Sequence, residues 1–124
     1  MAKTMVALFE DRSYARTALD DLVRHKIFTG RTHLEDYSSG SMADRLERLQ
    51  NIGMPDIHAQ AYCEGVLRGG GLLIADVDEQ DIPEARAMLQ RDGAINVQER
   101  ILAWQQEGWR GVDVHAVPPV AKPV

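Results

Sequence analysis

Two short apolar runs constrain this chain more than any other feature. Thr4, Val6 and Leu8 alternate with Met5, Ala7 and Phe9, so a strand over residues 4–9 is largely apolar on both faces, the pattern of a central strand. Leu72-Leu73-Ile74-Ala75-Asp76-Val77 reads as a second buried strand, entered from Gly69-Gly70-Gly71. Between and after these runs lie segments with helical periodicity. Asp11 or Ser13 offers a cap for a helix whose stripe is Ala15, Ala18, Leu19, Leu22 and Val23, ending near Lys26. Gly30 allows a turn into Arg31–Tyr37, a polar-rich alternating segment expected as an edge strand. After the Ser38-Ser39-Gly40-Ser41 loop, Met42, Leu46, Leu49 and Ile52 predict a short helix up to Gly53. Pro55 then opens another, running through His58, Ala61, Tyr62 and Val66 to the glycines. Asp81 and Glu84 form a capping-box pair ahead of the Ala85, Met88, Leu89 stripe, which Gly93 ends. Ala94, Ile95 and Val97 predict a last strand, and residues 100–107 a terminal helix closed by Gly108.

This order predicts an α+β fold, a ferredoxin-like βαββαβ antiparallel sheet with a helical insert between strands two and three and a C-terminal helix. Two helices on one face of such a sheet leave the other to be covered by the insert, the terminal helix or a second subunit, and that gap predicts a homodimer. A chain of 124 residues holds one domain, over residues 1–115, followed by a Pro-rich tail over 116–124 expected to be extended and mobile. The 44% apolar content supports a core and excludes general disorder. A formal charge of −5 without a basic patch argues against a nucleic-acid partner. The apolar run before Glu10 is too short for a signal peptide or a membrane span. Cys63 is the only cysteine, which excludes an intrachain disulfide and a cysteine metal cluster. Together these features predict a cytoplasmic chain with no membrane association.

Few residues carry a chemical signal. Arg68-Gly69-Gly70-Gly71 follows a helix and precedes a strand, the reverse of a phosphate loop, so it reads as a helix stop. His25, His33, His58 and His115 show no metal-ligand spacing, and a resident metal is not expected. His58, Tyr62 and Cys63 share a helix, with His58 and Tyr62 four apart. Together with His33 they are the candidate ligands for haem or another small hydrophobic molecule in a pocket near the 57–67 helix. Asp76, Asp78, Glu79 and Asp81 cluster where a strand meets a helix N-terminus, and the dipole there explains acids without chemistry. No serine has a nucleophile-elbow context, and no catalytic residues are assigned. Trp104 and Trp109 are the candidate interface residues, placed either to close the core or to anchor a partner.

The segment Ala61-Tyr62-Cys63-Glu64-Gly65-Val66-Leu67-Arg68-Gly69-Gly70 resembles the Tyr-x-Glu-Gly-Val-x-x-Gly-Gly signature of bacterial heat-induced general stress protein domains of the YflT type, which also begin many YsnF/AvaK-like proteins. The opening Val6–Ser13 with Ala15, Ala18 and Leu22 is similar to theirs. So is the close, Ala85–Leu89, Gly93-Ala94, Asn96-Val97, Arg100 and Trp104-Gln105-Gln106-Glu107-Gly108-Trp109. The similarity spans residues 3–110. It implies a stress-response role without agreed catalytic residues, and a minimal, soluble version, because the glycine-rich middle or extra C-terminal domain of longer members is missing. The expected function is therefore a non-enzymatic stress-response protein acting through self-association or a protein partner. The alternative is the small hydrophobic-ligand or haem-binding module.

Overall fold

The computed structural model describes residues 2–27 and 30–115. The elements run β1 (Ala2–Phe9), α1 (Arg12–Arg24), β2 (Thr32–Glu35), α2 (Met42–Asn51), α3 (Asp56–Leu67), β3 (Gly71–Asp78), α4 (Ile82–Arg91) and α5 (Val97–Gln106), with a 3-10 turn at Glu79–Asp81 leading into α4. The result is an α+β unit, five helices around an open, three-stranded antiparallel sheet of order β1-β3-β2. β3 is the central strand, with Leu8 opposite Leu72 and Val6 opposite Ile74 on one side, and His33 opposite Ile74 on the other.

Strand alternation then sorts the side chains to two faces. Met5, Ala7, Phe9, Leu73, Ala75 and Val77 pack with Ala15, Ala18 and Leu22 of α1 and Ala85, Met88 and Leu89 of α4. Val6, Leu8, Leu72 and Ile74 pack with residues of α2, α3 and α5, among them Leu49, Ala59, Val66, Ile101 and Trp104. The apolar content of both faces of β1 is thus matched by helices on both sides, and each fully buried leucine contributes about 1.5–3 kcal/mol. The insert and the terminal helix cover the second face themselves. The gap that motivated a second subunit is filled by the chain's own residues.

Local signals account for the helix boundaries. The Asp11 carboxylate accepts from the Ser13 N–H at the start of α1, Ser41 accepts from the Asp44 N–H at the start of α2, and Asn96 accepts from the Glu99 N–H at the start of α5. Gly69, at φ 103°, closes α3, with the Gly70 N–H bonded to the Gly65 carbonyl at 2.9 Å. The glycine run is therefore a helix stop. Gly65 also lets α3 settle onto β1, since a side chain there would collide with Leu8.

Two expectations are corrected. No fourth strand forms among the described residues. Only Ala94, Ile95 and Asn96 separate the Gly93 turn from α5, and Asn96 is committed to capping, so the segment makes one ladder-like bond, Ile95 N–H to the Leu8 carbonyl at 2.8 Å. The Asp81–Glu84 capping box is also missing. The turn over Glu79–Asp81 already holds Asp81 in a helical conformation, and its side chain makes no capping bond. The tail over 116–124 lies outside the described residues.

Candidate functional site

The most unusual electrostatics in the molecule surround Glu35. This residue ends β2 on the face that α2 covers, and its side chain is fully buried. Met42, Arg45 and Leu49 are the buried residues of α2, so a guanidinium enters the interior on the helix's apolar stripe. Arg45 Nε donates to Glu35 Oε1 at 2.8 Å and another of its nitrogens to the Asp36 carbonyl at 2.7 Å. One turn later Arg48 donates to both Glu35 oxygens, at 2.6 and 2.9 Å, in a forked pair. His33 Nε2 lies 3.1 Å from Glu35 Oε2. Burial by itself pushes the Glu35 carboxyl up, but the hydrogen bonds and charges of Arg48 and Arg45 outweigh it and hold the carboxyl below its ordinary range.

Next to this cluster, between the sheet and the C-terminal end of α2, is a cavity of about 550 Å³ lined by Thr4, Arg31, Thr32, His33, Arg48, Ile52, Ile74 and Asp76. Asp76 is held at its wall by Thr4 Oγ1, at 2.9 Å, and by the Arg31 N–H, at 3.3 Å.

A second concave feature follows the outer edge of β1. Ile95 bonds to the Leu8 carbonyl and the Tyr62 hydroxyl reaches the Val6 carbonyl at 3.4 Å, so these residues turn their polar backbone away from β3. By strand alternation Thr4 and Ala2 do the same. No strand pairs on this side among the described residues. The groove there, about 650 Å³, has Tyr62 along one wall and Ile82, Arg86, Leu89 and Gln90 of α4 and the turn before it along the other.

The sequence candidates disperse. His58 faces α5, its Nε2 3.2 Å from Gln98 Oε1, and lines neither cavity. Tyr62 belongs to the β1 groove, and burial raises its hydroxyl pKa. Cys63 is fully buried, and its thiol is pushed up to about 12, chiefly by desolvation, with Arg45 lowering and Glu35 raising it to smaller extents. Burial thus favours the protonated thiol at neutral pH. His33 alone joins the Glu35 cluster. Among the described residues the four do not line a common cavity: Tyr62 lines the β1 groove and His33 the cavity beside α2. Among the described residues no group of three or more His, Cys, Asp or Glu could hold a metal, and no helix is long and apolar enough to cross a membrane.

Trp104 is buried within the chain and Trp109 packs against the same core, with their rings edge-on at 5.5 Å. Trp109 Nε1 donates to Glu64 Oε1 at 2.8 Å, Arg68 Nε donates to Glu64 Oε2 at 2.8 Å, and the Arg68 guanidinium lies 4.6 Å from the centre of the Trp104 ring. The Glu-Gly-Val segment and the Trp pair, which are distant in sequence, thus form one clasp between α3 and the end of α5. Residues Glu35, Arg45 and Arg48 went unmarked in the sequence. Their one signal is an arginine three residues after Met42 and four before Leu49, a charge on the buried stripe of α2.

Set against models of known families, curated proteins and solved structures, the chain matches none.

Proposed function

We propose that this chain is a non-enzymatic, cytoplasmic stress-response domain that works by self-association through the outer edge of β1. The observation that carries this reading is the unpaired edge itself. β1 is eight residues long and free of proline, largely apolar on both faces over residues 4–9 with Lys3 its one charge, tied to Glu79, and it stands at the margin of the sheet with no strand beyond it among the described residues. Such an edge is a template for another strand unless it is blocked. The finer topology belongs to the same proposal. The order β1-β3-β2 with Ile95 beside Leu8 is that of a ferredoxin-like sheet whose fourth strand has shrunk to one contact, leaving a strand-sized slot between Tyr62 and α4. A second β1 enters this slot antiparallel, about a two-fold axis at Thr4, so that Ala2 of each copy meets Val6 of the other and the two sheets become one of six strands. The resemblance to general stress protein domains supports the biological setting, and a single cysteine without a disulfide partner supports the compartment.

Light scattering on the purified protein at micromolar concentration tests the reading. The expected mass is twice the 13.8 kDa of one chain. Thr4→Pro removes an N–H that points to the free edge, without touching the β1–β3 ladder, and is expected to give monomer. Thr32→Pro alters β2 at the opposite margin of the sheet and is expected to leave the dimer intact. A monomeric wild type, or a Thr4→Pro protein that remains dimeric, rejects the proposal.

A further inference from the structure

We infer that the cavity between β2 and the C-terminal end of α2 is a binding site for a small monocarboxylate with an apolar body. Three features of its walls converge on this chemistry. The first is charge. On a chain whose net charge is −5, the cavity is lined by Arg31 and Arg48 against Asp76, while the cluster behind it pairs Arg45 with Glu35 and the exposed Asp44 lies one turn before Arg48 on α2. Glu35 is already engaged by the two guanidinium groups and Asp76 by Thr4 and the Arg31 backbone. The excess among the lining residues is positive, and in a partly desolvated recess it attracts an anion more strongly than surface charges would.

The second feature is the state of the donors. Arg48 spends one hydrogen from each terminal nitrogen on Glu35, and its remaining N–H groups are still available, since a guanidinium carries five in a fixed fork. The bidentate pair fixes its orientation before any ligand arrives, which reduces the ordering cost of binding. The Arg31 guanidinium, on the same wall, has no ion-pair partner among the described residues. Thr32 and His33 add a hydroxyl and an imidazole.

The third feature is the apolar remainder. Ile74 and Ile52 are among the lining residues, and a volume of about 550 Å³ suits a small organic molecule. Asp76, bonded to the Arg31 backbone N–H, adds a negative charge to the wall and limits the charge that is welcome, so one carboxylate fits where a phosphate ester with two charges is repelled. The ligand's head lies between Arg31 and Arg48 and its hydrocarbon part crosses Ile74 and Ile52.

Titration calorimetry with octanoate, octan-1-ol and octylammonium as probes tests this site. Octanoate is expected to bind saturably with one site per chain, the neutral alcohol at least about tenfold more weakly, a difference of about 1.4 kcal/mol, and the cation not at all. Arg31→Gln is expected to weaken octanoate about tenfold without changing the melting temperature of the free protein, because that guanidinium makes no hydrogen bond or ion pair among the described residues. Arg48→Gln is expected to weaken it at least as much, and if that variant is too unstable to assay, Arg31→Gln alone decides. Octanoate that fails to saturate, that binds no better than octan-1-ol, or that is indifferent to Arg31→Gln overturns the proposal.

Discussion

At Glu35 the balance of interactions is easiest to read. Removing one partner from a buried ion pair leaves the others buried and uncompensated, which costs more than the pair contributes. Glu35→Gln leaves Arg45, itself only 1% exposed, with a buried positive charge facing a neutral amide. Urea unfolding is expected to show a loss of about 3 kcal/mol at neutral pH. The pH dependence has a definite sign. Because the folded carboxyl titrates below its ordinary range, its stabilisation is complete above that range and is lost as pH falls through the lowered value. The gap between wild type and Glu35→Gln is expected to close in acid. Arg45 is also where the sequence misleads: its position between Met42 and Leu49 marks it as buried, yet arginine is almost never buried without a partner. That partner, Glu35, sits on another element ten residues earlier, so no local pattern connects the two.

At the scale of elements, most of the architecture was legible because it rests on local patterns. Both apolar strands, the Ala-rich stripe of α1 and the Pro55 and Gly69 boundaries of α3 follow from periodicity and capping. The fourth strand did not follow, because three apolar residues satisfy a strand pattern while Asn96 immediately after Ile95 starts a helix, and the cap is the stronger commitment. Contacts between elements were not legible. Asp21 of α1 and Asp92 after α4 act on each other across a helix pair, and Asp92 Oδ2 is buried without a hydrogen-bond partner. The Asp92 carboxyl is raised, first by burial and then by Asp21, while the Asp21 carboxyl is lowered, mainly by Asp92. A group raised in the folded state stabilises it below the ordinary carboxylate range, and that contribution disappears as pH climbs through the raised value. Asp92→Asn mimics the protonated form at every pH. Its melting temperature is expected to exceed that of the wild type at pH 7 and to coincide with it near pH 3.

For the molecule as a whole, the layering decides which surfaces are free. Helices lie on both faces of the sheet, so two edges remain among the described residues, the four-residue β2 and the eight-residue β1, and β1 is the longer. This separates two roles the sequence left open for the tryptophans. With Trp104 5% exposed and locked against Arg68 and Trp109, Trp104→Ala is expected to cost about 3–5 kcal/mol in unfolding experiments. It is expected to leave the mass of the folded protein unchanged, whereas Thr4→Pro changes the mass. The candidate ligands scattered for the related reason that His58, Tyr62 and Cys63 share a helix but point to different neighbours. Helical spacing gives an angle around an axis and does not say what lies along it.

The central position of β3 also governs how the chain comes together. Both β1 and β2 pair with β3 and not with each other, and Phe9 waits for Gly71 while Ala2 waits for Asp78. During synthesis, roughly sixty residues must follow Phe9 before Gly71 can pair with it, a delay on the order of several seconds at ribosomal speed. Over that interval an apolar strand waits in the nascent polypeptide without its ladder partner, with α1 as its nearest native neighbour. Early capture by a chaperone, or loss to aggregation when chaperones are occupied, is therefore built into the order of the strands.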